Sequence, residues 1–187
     1  MKTKLILLIA TLFPLTACGH PYGVIQPIPI QYPGQMAVRM ECDPAEDCFV
    51  QARQAYLNGD LQGAVAGLQE LLIQDPGLLW KGRASLLLAR SLAASGDPTA
   101  VSHYEAAAET LPELGDYIYF SLGQFYLIQG EALKAAEVFD NLHKRYPDSL
   151  LRSQAIFQAA EAYAQTGRNT SAIASFETFL SLYPEDP

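Results

Sequence analysis

Residues 121–147 read SLGQFYLIQGEALKAAEVFDNLHKRYP, and this stretch decides the fold. Gly123 lies in a first apolar helical pattern, Gly130 separates it from a second pattern, and Pro147 ends that second pattern. Glycine permits a tight turn between helices. Proline ends a helix because its ring has no amide hydrogen to donate. The stretch therefore predicts two helices joined by a short turn.

The same spacing of a turn glycine and a following proline recurs four times along the chain. The glycines that mark the turns are Gly59, Gly96, Gly130 and Gly167. The prolines that follow each of them by 16 or 17 residues are Pro76, Pro112, Pro147 and Pro184. Small residues such as Ala135 and Ala172 let paired helices approach closely, and large neighbours fill the remaining space. The pattern predicts eight helices, near residues 44–58, 61–74, 78–95, 98–110, 116–129, 132–145, 149–166 and 170–182.

A helix-turn-helix unit with this spacing resembles the tetratricopeptide repeat (TPR). The third copy carries the resemblance best, with Leu122-Gly123, Tyr126, Ala135 and Phe139 at the expected places. The resemblance implies an all-α fold, a right-handed superhelical solenoid of about four TPR helix-turn-helix repeats. We expect a TPR domain over residues 42–187, with repeats near 45–78, 82–114, 116–149 and 153–187.

The first 17 residues have the features of a secretory signal peptide. Two lysines precede an apolar run over residues 5–15, which is shorter than the roughly 20 residues that a spanning helix needs. Leu-Thr-Ala-Cys at residues 15–18 resembles a bacterial lipobox. This resemblance implies cleavage before Cys18, a diacylglyceryl thioether on its sulfur and an amino terminus acylated with palmitate or a similar chain.

Residues 18–41 form the predicted link between the lipid and the folded domain. They contain four prolines and almost no charge, which favours an extended, Pro-rich tether. Gly19 follows the lipidated position, where an aspartate would retain an enterobacterial lipoprotein in the inner membrane. We therefore expect a lipid-anchored protein of the bacterial cell envelope, at the outer membrane and facing the periplasm.

Two cysteines remain after Cys18 is assigned to lipid. Five residues separate Cys42 from Cys48, and no histidine accompanies them. Outside the cytoplasm such a pair predicts a small disulfide rather than a metal or redox site. Two free, buried thiols are the alternative.

Composition and motifs exclude several functions. The net charge of −8 disfavours nucleic acid, whose phosphates an acidic chain repels. The three histidines, His20, His103 and His143, are too scattered for a metal cluster. The chain has no nucleophile elbow, no zinc-protease motif and no phosphate-binding glycine loop. We predict a protein that is not an enzyme and needs no cofactor or metal.

The TPR resemblance also implies a groove on the inner face, lined by the first helix of each repeat. The positions that this pattern assigns to the partner-binding groove are Phe49, Arg53, Tyr56, Leu86, Arg90, Phe120, Gln124, Leu127, Phe157 and Glu161. Such a surface is mildly basic at its N-terminal end and aromatic throughout, which suits a peptide with apolar anchors and an acidic group. Packing between repeats is the alternative role for the aromatic members.

The sequence predicts a non-enzymatic, membrane-anchored scaffold that binds protein or peptide partners during assembly of a cell-envelope complex. Tyr146-Pro147 and its echo Tyr183-Pro184 resemble the repeats of TPR proteins that assemble or coordinate the envelope. Alternatives are a pilotin-like lipoprotein for a secretin or pilus, a regulator of peptidoglycan enzymes, and a binder of a glycan or small molecule. Apolar residues on the last helix also predict a protein contact or self-association: Ile173, Phe176, Phe179, Leu180 and Tyr183.

Overall fold

The computed structural model describes residues 44–184. Eight α-helices and no strand occur within that range. The helices are α1 Ala45–Leu57, α2 Leu61–Ile73, α3 Leu78–Ala94, α4 Ala100–Thr110, α5 Gly115–Ile128, α6 Ala132–Arg145, α7 Arg152–Gln165 and α8 Asn169–Leu182. The predicted signal peptide, the tether and Cys42 lie outside the described residues.

Tight glycine turns join the helices into four pairs. Gly59, Gly96, Gly130 and Gly167 have φ values of +80°, +75°, +76° and +72°, in the left-handed region that glycine adopts without a steric penalty. Each helix packs against the next, and α1 also contacts α3. The predicted all-α, helical-repeat solenoid is therefore confirmed.

Close approach of small and large side chains holds α5 against α6. Phe139 on α6 is fully buried, and its ring lies over Gly123 on α5. A Cβ atom added to Gly123 would lie 2.5 Å from a Phe139 ring carbon, inside van der Waals contact. Phe120 packs against the same ring, with 5.5 Å between centroids. The small residue that marks the repeat in the sequence is therefore required by packing.

Two helices begin later than predicted because side chains at their starts form local turns. Helix α4 begins at Ala100 rather than near residue 98, since the Asp97 carboxylate accepts from the Thr99 amide at 2.9 Å. Helix α7 begins at Arg152 rather than near residue 149. There the Ser149 hydroxyl accepts a hydrogen bond from the Leu151 amide at 3.0 Å. Side-chain bonds of this kind compete with the first turn of a helix.

Cys48 lies on α1 with 1% of its surface exposed, and it is disulfide-bonded. Its partner lies outside the described residues. The pairing with Cys42 therefore stays a prediction.

The last helix presents part of its apolar surface to solvent. Ile173 and Leu180 are exposed, whereas Phe176 and Phe179 are half-buried against Phe157. The two ring pairs have centroid separations of 5.7 and 5.5 Å. These contacts tie α8 to α7. Self-association through this end stays a prediction.

Candidate protein-binding cleft

An open cleft of about 380 Å³ lies between α1, α3 and the segment that follows α4. Five of the predicted groove residues line it together: Phe49, Arg53, Tyr56, Leu86 and Arg90. The remaining lining residues are Leu57, Arg83, Leu87, Leu111 and Leu114. We call this site the arginine cleft, because three arginines surround an otherwise apolar and aromatic surface.

Aromatic packing positions one side of the arginine cleft. The ring of Phe49 on α1 packs against that of Trp80 on α3, with 5.5 Å between centroids. The guanidinium of Arg83 lies 5.0 Å from the centre of the Trp80 ring. Stacking of this kind attracts the cation to the face of the ring. It thereby restrains the Arg83 side chain at the cleft.

Arg90 lies among tyrosines on the other side. Its guanidinium carbon is 5.5 Å from the centre of the Tyr56 ring and 6.0 Å from that of Tyr117. A guanidinium stacked on a ring keeps the N–H donors in its own plane, where they can bind a carboxylate in a bidentate manner. Arg90 is therefore held in place by the rings, and its N–H donors remain available to a ligand.

Tyr104 lies beside this arginine and is almost fully buried, with 3% of its surface exposed. Burial raises the pKa of its phenol to about 12, and the positive charge of Arg90 offsets only part of that increase. The side chain is thus a neutral component of the core beneath the cleft.

We expect Tyr104→Phe to reduce the loss of stability in strong alkali. The raised pKa means that the unfolded chain releases the phenolic proton first, so stability falls from about pH 10 and continues to fall through about pH 12. With a discount for partial solvent screening, the difference is about 1–2 kcal/mol. Urea unfolding at pH 8 and pH 11.5 measures it. Equal losses in the variant and the parent would contradict the assignment.

The three arginines of the cleft have no acidic partner among residues 44–184. Arg53, Arg83 and Arg90 form neither an ion pair nor a hydrogen bond with any described residue. By contrast, Arg145 donates to the Tyr119 hydroxyl at 2.7 Å, and Arg152 donates to the Pro147 carbonyl at 3.2 Å. Within the described residues, Arg83 and Arg90 therefore contact aromatic rings, but no cleft arginine uses its N–H donors in an ion pair or a hydrogen bond.

The other predicted groove residues do not join this cleft. Phe120, Gln124 and Leu127 lie where the third and fourth repeats pack. Phe120 stacks on Phe139, Leu127 is half-buried in the same cluster, and Gln124 donates to the Gln158 side chain at 2.7 Å. Gln124 thus contacts the fourth repeat, whereas the ring contact of Phe120 is with Phe139 of its own repeat. Their role in binding stays a prediction.

The last two predicted residues line a second cleft, between α7 and α8. Phe157 and Glu161 lie there with Phe176, Phe179 and Leu180, around a volume of about 630 Å³. This cleft is larger than the arginine cleft but has no cation on its lining. The ten predicted residues therefore fall into three sets along the solenoid.

Sequence reasoning missed five lining residues of the arginine cleft, which are Leu57, Arg83, Leu87, Leu111 and Leu114. Arg83 occupies the second position of its repeat, which the TPR pattern places on the inner face, so a signal for it was present. Leu111 precedes a short 3-10 turn at Pro112–Leu114, and Leu114 ends it. The repeat pattern predicted a turn at Pro112, but not that these leucines line the cleft.

The paired helices and the open cleft define a tetratricopeptide-type repeat protein, a class of protein-interaction scaffolds that are typically not catalytic. Residues 113–187 match the YfiO family, described as an outer membrane lipoprotein. This match covers less than half of the chain and is consistent with the lipoprotein signal predicted at residues 15–18.

The family match covers the third and fourth repeats and lies outside most of the arginine cleft. The crystal structure of MamA protein is similar to this chain, with a TM-score of 0.47 and 17% identity, over 76% of this chain and 93% of that one. Comparison with curated proteins finds no match.

Between residues 44 and 184, no helix has both the length and the apolar character needed to cross a bilayer. The same range contains no group of three or more His, Cys, Asp or Glu residues arranged to hold a metal ion.

Proposed function

We propose that this protein is a lipid-anchored scaffold that holds a protein or peptide partner in the arginine cleft during assembly of an envelope complex. One observation carries the proposal: an open cleft combines aromatic side chains, leucines and three arginines that have no ion-pair or hydrogen-bond partner among residues 44–184. Aromatic residues and arginines dominate the energetics of protein interfaces. The match of residues 113–187 to outer membrane lipoproteins supports the envelope as the location.

Lipidation at Cys18 gives the scaffold its position. One acyl chain binds a membrane only marginally, whereas two or more hold a protein firmly. A tether over residues 18–41 lets the domain sample the space near the membrane and raises its effective concentration there. Because the anchor keeps the cleft near the membrane, the protein is expected to bind partners that are themselves in the envelope.

Site-specific photocrosslinking in the full-length protein tests this function. A photoreactive amino acid placed at Leu57 or Leu114, both exposed on the lining of the cleft, is expected to give a discrete adduct with an envelope protein. The matched control is Ile128, an exposed apolar residue on α5 that does not line the cleft. Identical adducts from all three positions, or no adduct from the cleft positions, would refute the proposal.

A Cys18→Ala variant separates anchoring from binding. Without the thioether, we expect the protein to leave the membrane fraction and the crosslinked adduct at Leu57 to decrease at least tenfold, because the effective concentration near the partner falls. Fractionation followed by crosslinking measures both. An unchanged membrane fraction would show that the lipobox is not the anchor.

A further inference from the structure

We infer that the arginine cleft recognises an acidic peptide segment, in which carboxylates flank one apolar anchor residue. The inference rests on the proposed function and deepens it, since it names the chemistry of the partner. It is carried by three properties of the cleft: its charge, the restraint of its arginines and the shape of its apolar floor.

Charge is the first property. The chain carries 20 acidic and 12 basic residues, yet three arginines lie around one cleft and none of them forms an ion pair with a carboxylate in the described range. Like charges that share a site repel one another, and the repulsion is stronger beside apolar surface than in water. An anionic partner removes that repulsion. The local positive potential of the cleft attracts acidic segments, whereas the acidic remainder of the protein repels them.

Restraint of the arginines is the second property. The guanidinium carbons of two arginines lie over aromatic rings, Arg83 over Trp80 at 5.0 Å and Arg90 over Tyr56 and Tyr117 at 5.5 and 6.0 Å. Restrained side chains lose less entropy when a ligand binds. Their in-plane donors match the two oxygens of a carboxylate. The cleft is therefore organised for planar anions before any ligand arrives.

The apolar floor is the third property. Leu86, Leu87 and Leu111 lie beneath the arginines, and the rim leucines Leu57 and Leu114 are 61% and 41% exposed. A volume of about 380 Å³ admits one large side chain with its backbone and is small for a whole folded element. This combination fits an extended peptide that inserts a single leucine or phenylalanine.

Anionic lipid headgroups are a second source of negative charge near an anchored protein. A chain with net charge −8 is repelled by an anionic membrane surface. A headgroup phosphate also supplies no apolar anchor for the leucine floor. The cleft therefore favours peptide over lipid, and vesicles serve as the competing probe.

Binding of two blocked hexapeptides to the mature, full-length protein tests the inference. One peptide is Glu-Glu-Leu-Phe-Glu-Glu and the other has glutamine at all four acidic positions; both carry a dye for anisotropy. We expect the acidic peptide to bind at least tenfold more tightly, and its affinity to fall as salt rises. Emission of Trp80, the one tryptophan of the chain, should change on binding because Trp80 contacts both Phe49 and Arg83.

Matched variants locate the effect. The triple substitution Arg53→Gln, Arg83→Gln, Arg90→Gln is expected to abolish the preference for the acidic peptide. A control with the same change in net charge, at exposed positions outside the cleft, should keep that preference: Lys81→Gln, Lys144→Gln, Arg168→Gln. Circular dichroism confirms that each variant is folded.

Three results would overturn the inference. They are equal affinity for the two peptides, no measurable binding of either, and arginine-dependent binding to phosphatidylglycerol vesicles without a preference between peptides. None of these results removes the adducts expected at Leu57 and Leu114. The crosslinking experiment therefore tests the proposed function separately.

Discussion

Phe139→Ala is expected to lower the free energy of unfolding by about 3–5 kcal/mol, the range for removing a buried aromatic ring from a core. Phe139 is fully buried, and it contacts both the glycine face of α5 and the Phe120 ring. It also belongs to a cluster with Ala155 and Ala159 on α7. Its loss therefore weakens the third repeat and its interface with the fourth. Urea denaturation followed by circular dichroism measures the effect.

Phe176 provides a matched control for this prediction. It occupies the position equivalent to Phe139, 37 residues later in the next repeat, but it is only half-buried. Because the ring already contacts solvent, Phe176→Ala should cost less than half as much as Phe139→Ala. An equal loss of unfolding free energy in the two variants would contradict the prediction, because it would show that the loss does not depend on how deeply the ring is buried.

Sequence predicted the helix pairs well because the periodic residues have direct physical roles. Each turn glycine has a positive φ, and Gly123 lies within contact distance of the ring that the repeat pattern pairs with it. These requirements are local to one repeat. A repeat that contacts only its neighbours can therefore be predicted from its own residues.

The binding surface was harder to predict because it depends on three-dimensional relations between repeats. The inner-face pattern gave ten positions, but the pattern cannot tell which of them the next repeat covers. Phe120 is packed against Phe139, whereas Phe49 lines an open cleft beside Trp80. Phe139 lies on α6, the second helix of the same repeat as Phe120. Pro112 predicted a turn after α4, but not that the turn places Leu114 on the rim.

The same limitation applies to charge. The sequence indicated a mildly basic N-terminal end from Arg53 and Arg90. The structure shows that Arg83 joins them and that none of the three forms an ion pair with a described carboxylate. The absence of local partners is a property of the fold, since 20 acidic residues were available along the chain. This absence turns a general peptide-binding surface into a candidate site for an acidic segment.

Gly123→Val is expected to destabilise the protein by about 3 kcal/mol, at the upper end of the range for overpacking a core. The first added carbon alone would meet three atoms of the Phe139 ring, at 2.5, 2.6 and 2.9 Å. The ring is fully buried and has little room to move, so the backbones of α5 and α6 must separate. Thermal and urea denaturation of the single variant measure this cost.

A double-mutant cycle shows whether the cost arises from this one contact. In the double variant Gly123→Val, Phe139→Ala, the valine occupies part of the space that the ring vacates. We therefore expect the double variant to be more stable than the sum of the two single costs implies, by about 1–3 kcal/mol. Simple additivity would mean that valine destabilises α5 by another route. A positive coupling would establish that glycine is required at this position by the paired ring, because the helix itself gains nothing from a residue without a side chain.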